Sequence, residues 1–115
     1  MDTIDAIGAL TALAQETRLE TFRLLVRHEP DGVPAGELAR LIEIPQNTMS
    51  AHLAVLARAG LVRRERRSRS IIYRAEMSRL RELVTFLLKD CCGGAPEICA
   101  PLIADLTCCS PGDSK

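Results

Sequence analysis

Aromatic residues are scarce in this chain: two Phe, one Tyr and no Trp among 115 residues. With Phe22, Phe86 and Tyr73 as the whole aromatic complement, the core has to come from Leu, Ile, Val, Ala and Met. No apolar run approaches the roughly 18 residues of a membrane span. The first residues, Met1-Asp-Thr-Ile-Asp, are acidic where a signal peptide would be basic. A soluble, cytoplasmic protein with no membrane partner is expected. Cysteine is missing from residues 1–90, and the odd total of five, without an export signal, argues for reduced thiols rather than a disulfide framework. Enzyme chemistry is missing too. There is no glycine-rich phosphate loop, no nucleophile with a plausible base, and no paired carboxylates with a supporting His. The chain is therefore not expected to be an enzyme, nor to need an organic cofactor or a small organic substrate.

Net charge is zero, fifteen basic against fifteen acidic side chains, but the signs are segregated. Residues 1–57 carry a surplus of acids, and so do residues 82–115. Between them lie Arg58, Arg63, Arg64, Arg66, Arg67, Arg69, Arg74, Arg79 and Arg81, against only Glu65 and Glu76. A solvated face would intersperse the two signs, so a basic centre between acidic flanks points to a polyanion. Arginine, rather than lysine, suits bidentate contacts to phosphate and guanine.

Hydrophobic spacing orders the chain. Ile4, Ile7, Leu10 and Leu13 predict an amphipathic helix from about Ile4 to Ala14. Thr17 opens a second helix, with Leu19, Phe22, Leu25 and Val26 inward, ending near His28 before the Pro30-Asp31-Gly32 turn. His28 is expected at that helix C-terminus, where partial positive charge is favourable. A third helix runs from about Ala35 to Ile42, with Leu38, Ala39 and Leu41 inward, and Glu43-Ile44-Pro45 breaks it. The fourth spans Gln46 to Ala59 on Met49, Leu53, Val55 and Leu56, with Gly60 at its C-terminal stop. Leu61–Glu65 and Ser70–Arg74 read as two strands of a hairpin whose tip is Arg66-Arg67-Ser68-Arg69. Leu80, Leu83, Val84, Leu87, Leu88 and Cys91 mark one face of a last helix, Met77 to Cys92. Gly93-Gly94 ends it.

This order, α1-α2-α3-α4-β1-β2-α5, is a mainly α (α+β) winged helix-turn-helix. A length of 115 residues holds one such domain, and a dimer is expected because a monomer of this size buries only about two thirds of its surface. Residues 1–92 form the DNA-binding and dimerisation domain, and 93–115 a cysteine-containing tail. In this fold the fourth helix offers its N-terminal side chains to the major groove. Here these are Gln46, Asn47, Thr48, Ser50 and His52, with Arg66, Arg67 and Arg69 reaching the minor groove or backbone. The carboxamides can pair with adenine, and the hydroxyls with bases or phosphates. His52 also admits a plain packing or surface role.

The run from Ile44 to Val62, containing Ser50-x-His52-Leu53-x-x-Leu56-x-x-Ala59-Gly60-Leu61-Val62, resembles the recognition-helix signature of the ArsR/SmtB family of metal-responsive repressors. Thr17-Arg-Leu-Glu-Thr-Phe-Arg-Leu-Leu is similar to that family's second helix, and the resemblance covers about residues 5–92. It implies a homodimeric repressor that leaves double-stranded operator DNA on binding a metal ion. Pro45 departs from the pattern, standing where members often carry a capping Ser, and the wing lacks its usual Gly.

The inducer has to be read from this chain. Residues 33–50 hold no Cys and residues 77–92 no His, which removes two of the family's metal sites. What remains is Cys91-Cys92-x6-Cys99, followed by Cys108-Cys109. It resembles an arsenical subgroup with thiols at the end of the last helix. Three thiolates without imidazole suit As(III) or Sb(III), which form three pyramidal bonds to sulfur. Zinc, cadmium or lead could recruit a fourth thiolate from Cys108 or Cys109. Thiol oxidation is a further alternative, and a metal-buffering protein is an alternative of another class.

Overall fold

A computed structural model describes residues 1–88, in the order α1 (Thr3–Leu13), α2 (Glu16–Arg27), β1 (Val33–Pro34), α3 (Ala35–Ile42), α4 (Gln46–Arg58), β2 (Val62–Arg67), β3 (Ser70–Ala75) and α5 (Met77–Leu88). Residues Met1–Leu83 form one compact unit, and Val84–Leu88 are the described part of a second. The winged helix-turn-helix is present, with one strand more than the sequence predicts. β1 adds only two residues to the hairpin, giving an antiparallel sheet in the order β1-β3-β2.

Local chemistry sets the helix ends. Asp2 Oδ1 accepts from the Asp5 N–H at 2.8 Å and starts α1, a side chain satisfying an amide with no intrahelical partner. Gln15 Oε1 does the same for Arg18 in α2. His28 closes α2 as expected, its Nδ1–H donating to the Leu24 carbonyl at 2.9 Å. Pro45 caps α4 with no side-chain bond, in keeping with the missing Ser. Gly60, at φ 81°, ends α4, with Leu61 N–H on the Leu56 carbonyl and Gly60 N–H on that of Ala57. This is the Schellman pairing, and the flanking Leu56 and Leu61 are both fully buried.

Leu25, Leu38, Met49, Leu53, Leu56 and Leu61 form the centre of the core; burying each contributes about 1.5–3 kcal/mol before entropy is counted. Thr21 is buried among them and donates to Met49 Sδ at 3.8 Å, joining α2 to α4. Two inward assignments are corrected. Leu19 and Leu41 are 43% and 42% exposed, while Leu24 faces inward. Helix α1 packs through Ala6, Ala9 and Ala12 and turns Ile4 and Ile7 outward, 80% and 57% exposed. Small side chains let two helices approach closely, so the alanine stripe faces the domain. Gly32, at φ 78°, sits where a Cβ would lie 2.7 Å from Ile72 Cδ1 and 2.9 Å from the Tyr73 carbonyl oxygen. Only glycine fits that turn into β1.

The hairpin is longer than predicted. Arg66 and Arg67 belong to β2, leaving Ser68-Arg69 as a two-residue loop between the paired Arg67 and Ser70. Ser68 takes the positive φ of 54° that a tight hairpin turn demands, in place of the absent Gly.

Candidate nucleic-acid interface

Helix α4 buries Met49, Leu53 and Leu56 and exposes Gln46, Asn47, Thr48 and Ser50. Helical spacing continues that exposed face through Ala51, Ala54 and Arg58. Gln46 lies over α3, its Oε1 3.6 Å from where a Gly36 Cβ would stand. Asn47 Oδ1 accepts from the Thr48 N–H at 2.9 Å, which uses one of that oxygen's two lone pairs and leaves the other, with the amide hydrogens, open to a partner. His52 is half-buried, its Nδ1 3.4 Å from Arg18 Nη1. The sequence-predicted side chains of α4 thus share one end of the helix, and two of them are already partly engaged.

The hairpin arginines fall into two sets. Because side chains alternate along a strand, Arg63, Glu65 and Arg67 share one face of β2, and Arg64 and Arg66 the other. On the first face every cation is met. Arg63 pairs with Glu76 at 2.7 Å, and Arg67 with Glu65 at 3.4 Å and the Asp31 carbonyl at 3.2 Å. Arg74 pairs with Glu29 at 2.7 Å and Glu65 at 3.5 Å. Hydrogen bonds from Arg63 and then Ser78 hold the Glu76 carboxyl below the usual carboxylate range, and Glu29 raises Arg74 above its ordinary value. Arg40 on α3 is likewise committed to Glu37.

Arg64, Arg66 and Arg69 are exposed, and no ion pair holds them among the described residues. An unneutralised arginine set is what a polyanion attracts. Of the expected Arg66, Arg67 and Arg69, then, Arg67 is tied into the protein, while Arg64, two residues from Arg66 and on the same face of β2, is exposed and unpaired among the described residues.

No group of three or more His, Cys, Asp or Glu able to hold a metal ion occurs among the described residues. The predicted thiol ligands Cys91, Cys92, Cys99, Cys108 and Cys109 lie outside them. No described helix is long and apolar enough to cross a membrane.

Known proteins share this fold. A helix-turn-helix domain family matches residues 13–65. The transcriptional activator HlyU of Vibrio cholerae is 30% identical over 87 residues, spanning 76% of this chain and 78% of that protein. The structure of reduced HlyU aligns at a TM-score of 0.58 over 76% of this chain and 92% of its own. An ArsR-like regulator from Rhodococcus sp. RHA1 aligns at 0.68, with 25% identity, over 94% of this chain and 95% of that one. A homodimeric winged helix-turn-helix DNA-binding domain from Mycobacterium bovis, a possible ArsR-family regulator, aligns at 0.59 with 26% identity, over 75% and 80% of the two chains. With its recognition helix, its arginine-rich hairpin and these relatives, the chain belongs to the ArsR family of DNA-binding, winged helix-turn-helix transcriptional regulators.

Proposed function

We propose that the chain is a cytoplasmic, homodimeric repressor of an arsenic-resistance operon, released from its operator by As(III) or Sb(III). The observation that carries the DNA-binding surface is the parity of the hairpin: Arg64, Arg66 and Arg69 stay unpaired while their neighbours are neutralised. With Gln46, Asn47, Thr48, Ser50 and His52 they supply base-reading groups and phosphate contacts in one module. The dimer is supported by the exposed Ile4 and Ile7 of α1 and by the homodimeric relative from Mycobacterium bovis.

The inducer reading rests on thiol distribution. All five cysteines fall between positions 91 and 109 of a chain otherwise free of thiols. Cys91, Cys92 and Cys99 provide the three sulfurs that a trivalent arsenical takes, and Cys108 and Cys109 are dispensable. Adjacent positions on an α-helix point about 100° apart, so gathering Cys91 and Cys92 on one ion distorts any helical turn holding both. Recognition helices enter successive major grooves about 34 Å apart, and a small reorientation of the dimer then weakens operator binding. Residues 1–92 serve DNA and dimer, and 93–115 complete the thiol site.

The test is fluorescence anisotropy on a labelled fragment from upstream of the chain's own gene, titrated with arsenite and separately with zinc. Arsenite should release the wild type but not Cys91→Ser, Cys92→Ser or Cys99→Ser, and should still release the Cys108/Cys109 double variant. Release by zinc alone would overturn the ligand. A second reading, oxidation of the same thiols, is favoured by the likeness to HlyU, whose structure is described as reduced. Release by peroxide without arsenite sensitivity would select it.

A further inference from the structure

Arg18 connects three helices. Its backbone N–H is fixed by Gln15 Oε1 at the start of α2. Its Nε donates to the Ala12 carbonyl in the last turn of α1 at 2.6 Å, and its Nη1 lies 3.4 Å from Nδ1 of His52 on the recognition helix. Both side-chain contacts are half-buried. A guanidinium has five N–H donors and no acceptor, so at this contact His52 Nδ1 must present its lone pair. A neutral imidazole that accepts at Nδ1 carries its proton on Nε2.

We infer that Arg18 is a positioning residue that fixes the Nε2–H tautomer of His52 and makes that side chain a hydrogen-bond donor only. This rests on the reading of α4 as the recognition helix and extends it to specificity. Phosphate oxygens and the major-groove acceptors, guanine O6 and N7, adenine N7 and thymine O4, match such a donor. The amino groups of adenine and cytosine do not. The carboxamides of Gln46 and Asn47 carry donors and an acceptor, so His52 supplies a one-sided contact they do not duplicate. Arg18 is held by α1 through Ala12, so the tautomer also depends on where α1 stands.

The test is a long-range proton–nitrogen correlation spectrum of the uniformly nitrogen-15-labelled full chain without DNA, at a pH where the imidazole is neutral. His52 should show the Nε2–H tautomer, and Arg18→Met should redistribute the proton between the two nitrogens. Arg18→Lys, which keeps a donor, should move it less. An Nδ1–H tautomer in the wild type, or an unchanged one in Arg18→Met, overturns the inference. On the labelled upstream fragment, Arg18→Met should weaken binding about threefold to tenfold, the range of one lost hydrogen bond, and less than about twofold in a His52→Ala background. Equal losses in both backgrounds also overturn it. A wild type that fails to bind the fragment would instead overturn the reading of α4, and the spectrum would still decide the tautomer.

Discussion

Arg64 and Arg66 differ from Arg63 and Arg67 in the side of β2 from which they project, and that side decides what each charge can do. Arg63 and Arg67 answer to Glu76 and Glu65 inside the protein; Arg64 and Arg66 meet no such partner among the described residues. Arg64→Ala and Arg66→Ala should each weaken binding to the upstream fragment and reduce its salt slope by about 1, as expected for a lost phosphate contact. Arg67→Ala should change the slope far less. Anisotropy over a salt series checks both, and an Arg67 effect as large as that of Arg64 would contradict the assignment. Gly32 is bound by sterics instead of charge. Gly32→Ala should cost about 1–3 kcal/mol, read by urea denaturation, because it adds a Cβ at φ 78° against backbone and side chain together.

Elements were legible where periodicity and punctuation agree. The ends of α2, α3 and α4 fall just before the Pro30-Asp31-Gly32 turn, the Glu43-Ile44-Pro45 break and Gly60, where proline and glycine interrupt a helix. Orientation was less legible. Helix α1 carries one stripe of Ile and Leu and another of Ala, both at a spacing of three, and hydropathy cannot say which of them the domain covers. Strand β1 is too short to leave a periodic trace; it exists because Gly32 brings Val33 against Tyr73. The pairing of the hairpin arginines depends on register and on Glu29, distant in sequence. The Glu76 contact makes an element-scale prediction. Arg63 and Ser78 lower the carboxyl pKa of Glu76 in the folded chain, so its stabilisation is present above the unfolded pKa and is lost as pH falls through the folded one. The pair is partly exposed, and solvent screening limits it to about 0.5 kcal/mol. Glu76→Gln should lose stability at neutral pH and show a shallower decline below about pH 5. Denaturation midpoints across that range check it; an unchanged slope would contradict it.

At the scale of the whole molecule, the acidic flanks and the basic centre map onto different tasks. In the proposed function the unpaired arginines meet DNA, the outward Ile4 and Ile7 meet a second copy, and the cysteines take the inducer. The proposed thiol site rests on the sequence alone, on five cysteines confined to positions 91–109, and it lies outside the described residues. Ile7→Glu places a charge on the proposed dimer face. It should give a monomer in sedimentation and lower affinity for the upstream fragment by about a hundredfold, since two linked half-sites bind with avidity that one lacks. A variant that stays dimeric would remove α1 from the interface. In the proposed function one equilibrium links thiols and operator, and such coupling is reciprocal. The most direct measurement is the arsenite affinity of the full chain with and without saturating operator fragment. Operator should weaken arsenite binding by the same factor by which arsenite weakens operator binding; an arsenite affinity indifferent to DNA would rule the coupling out.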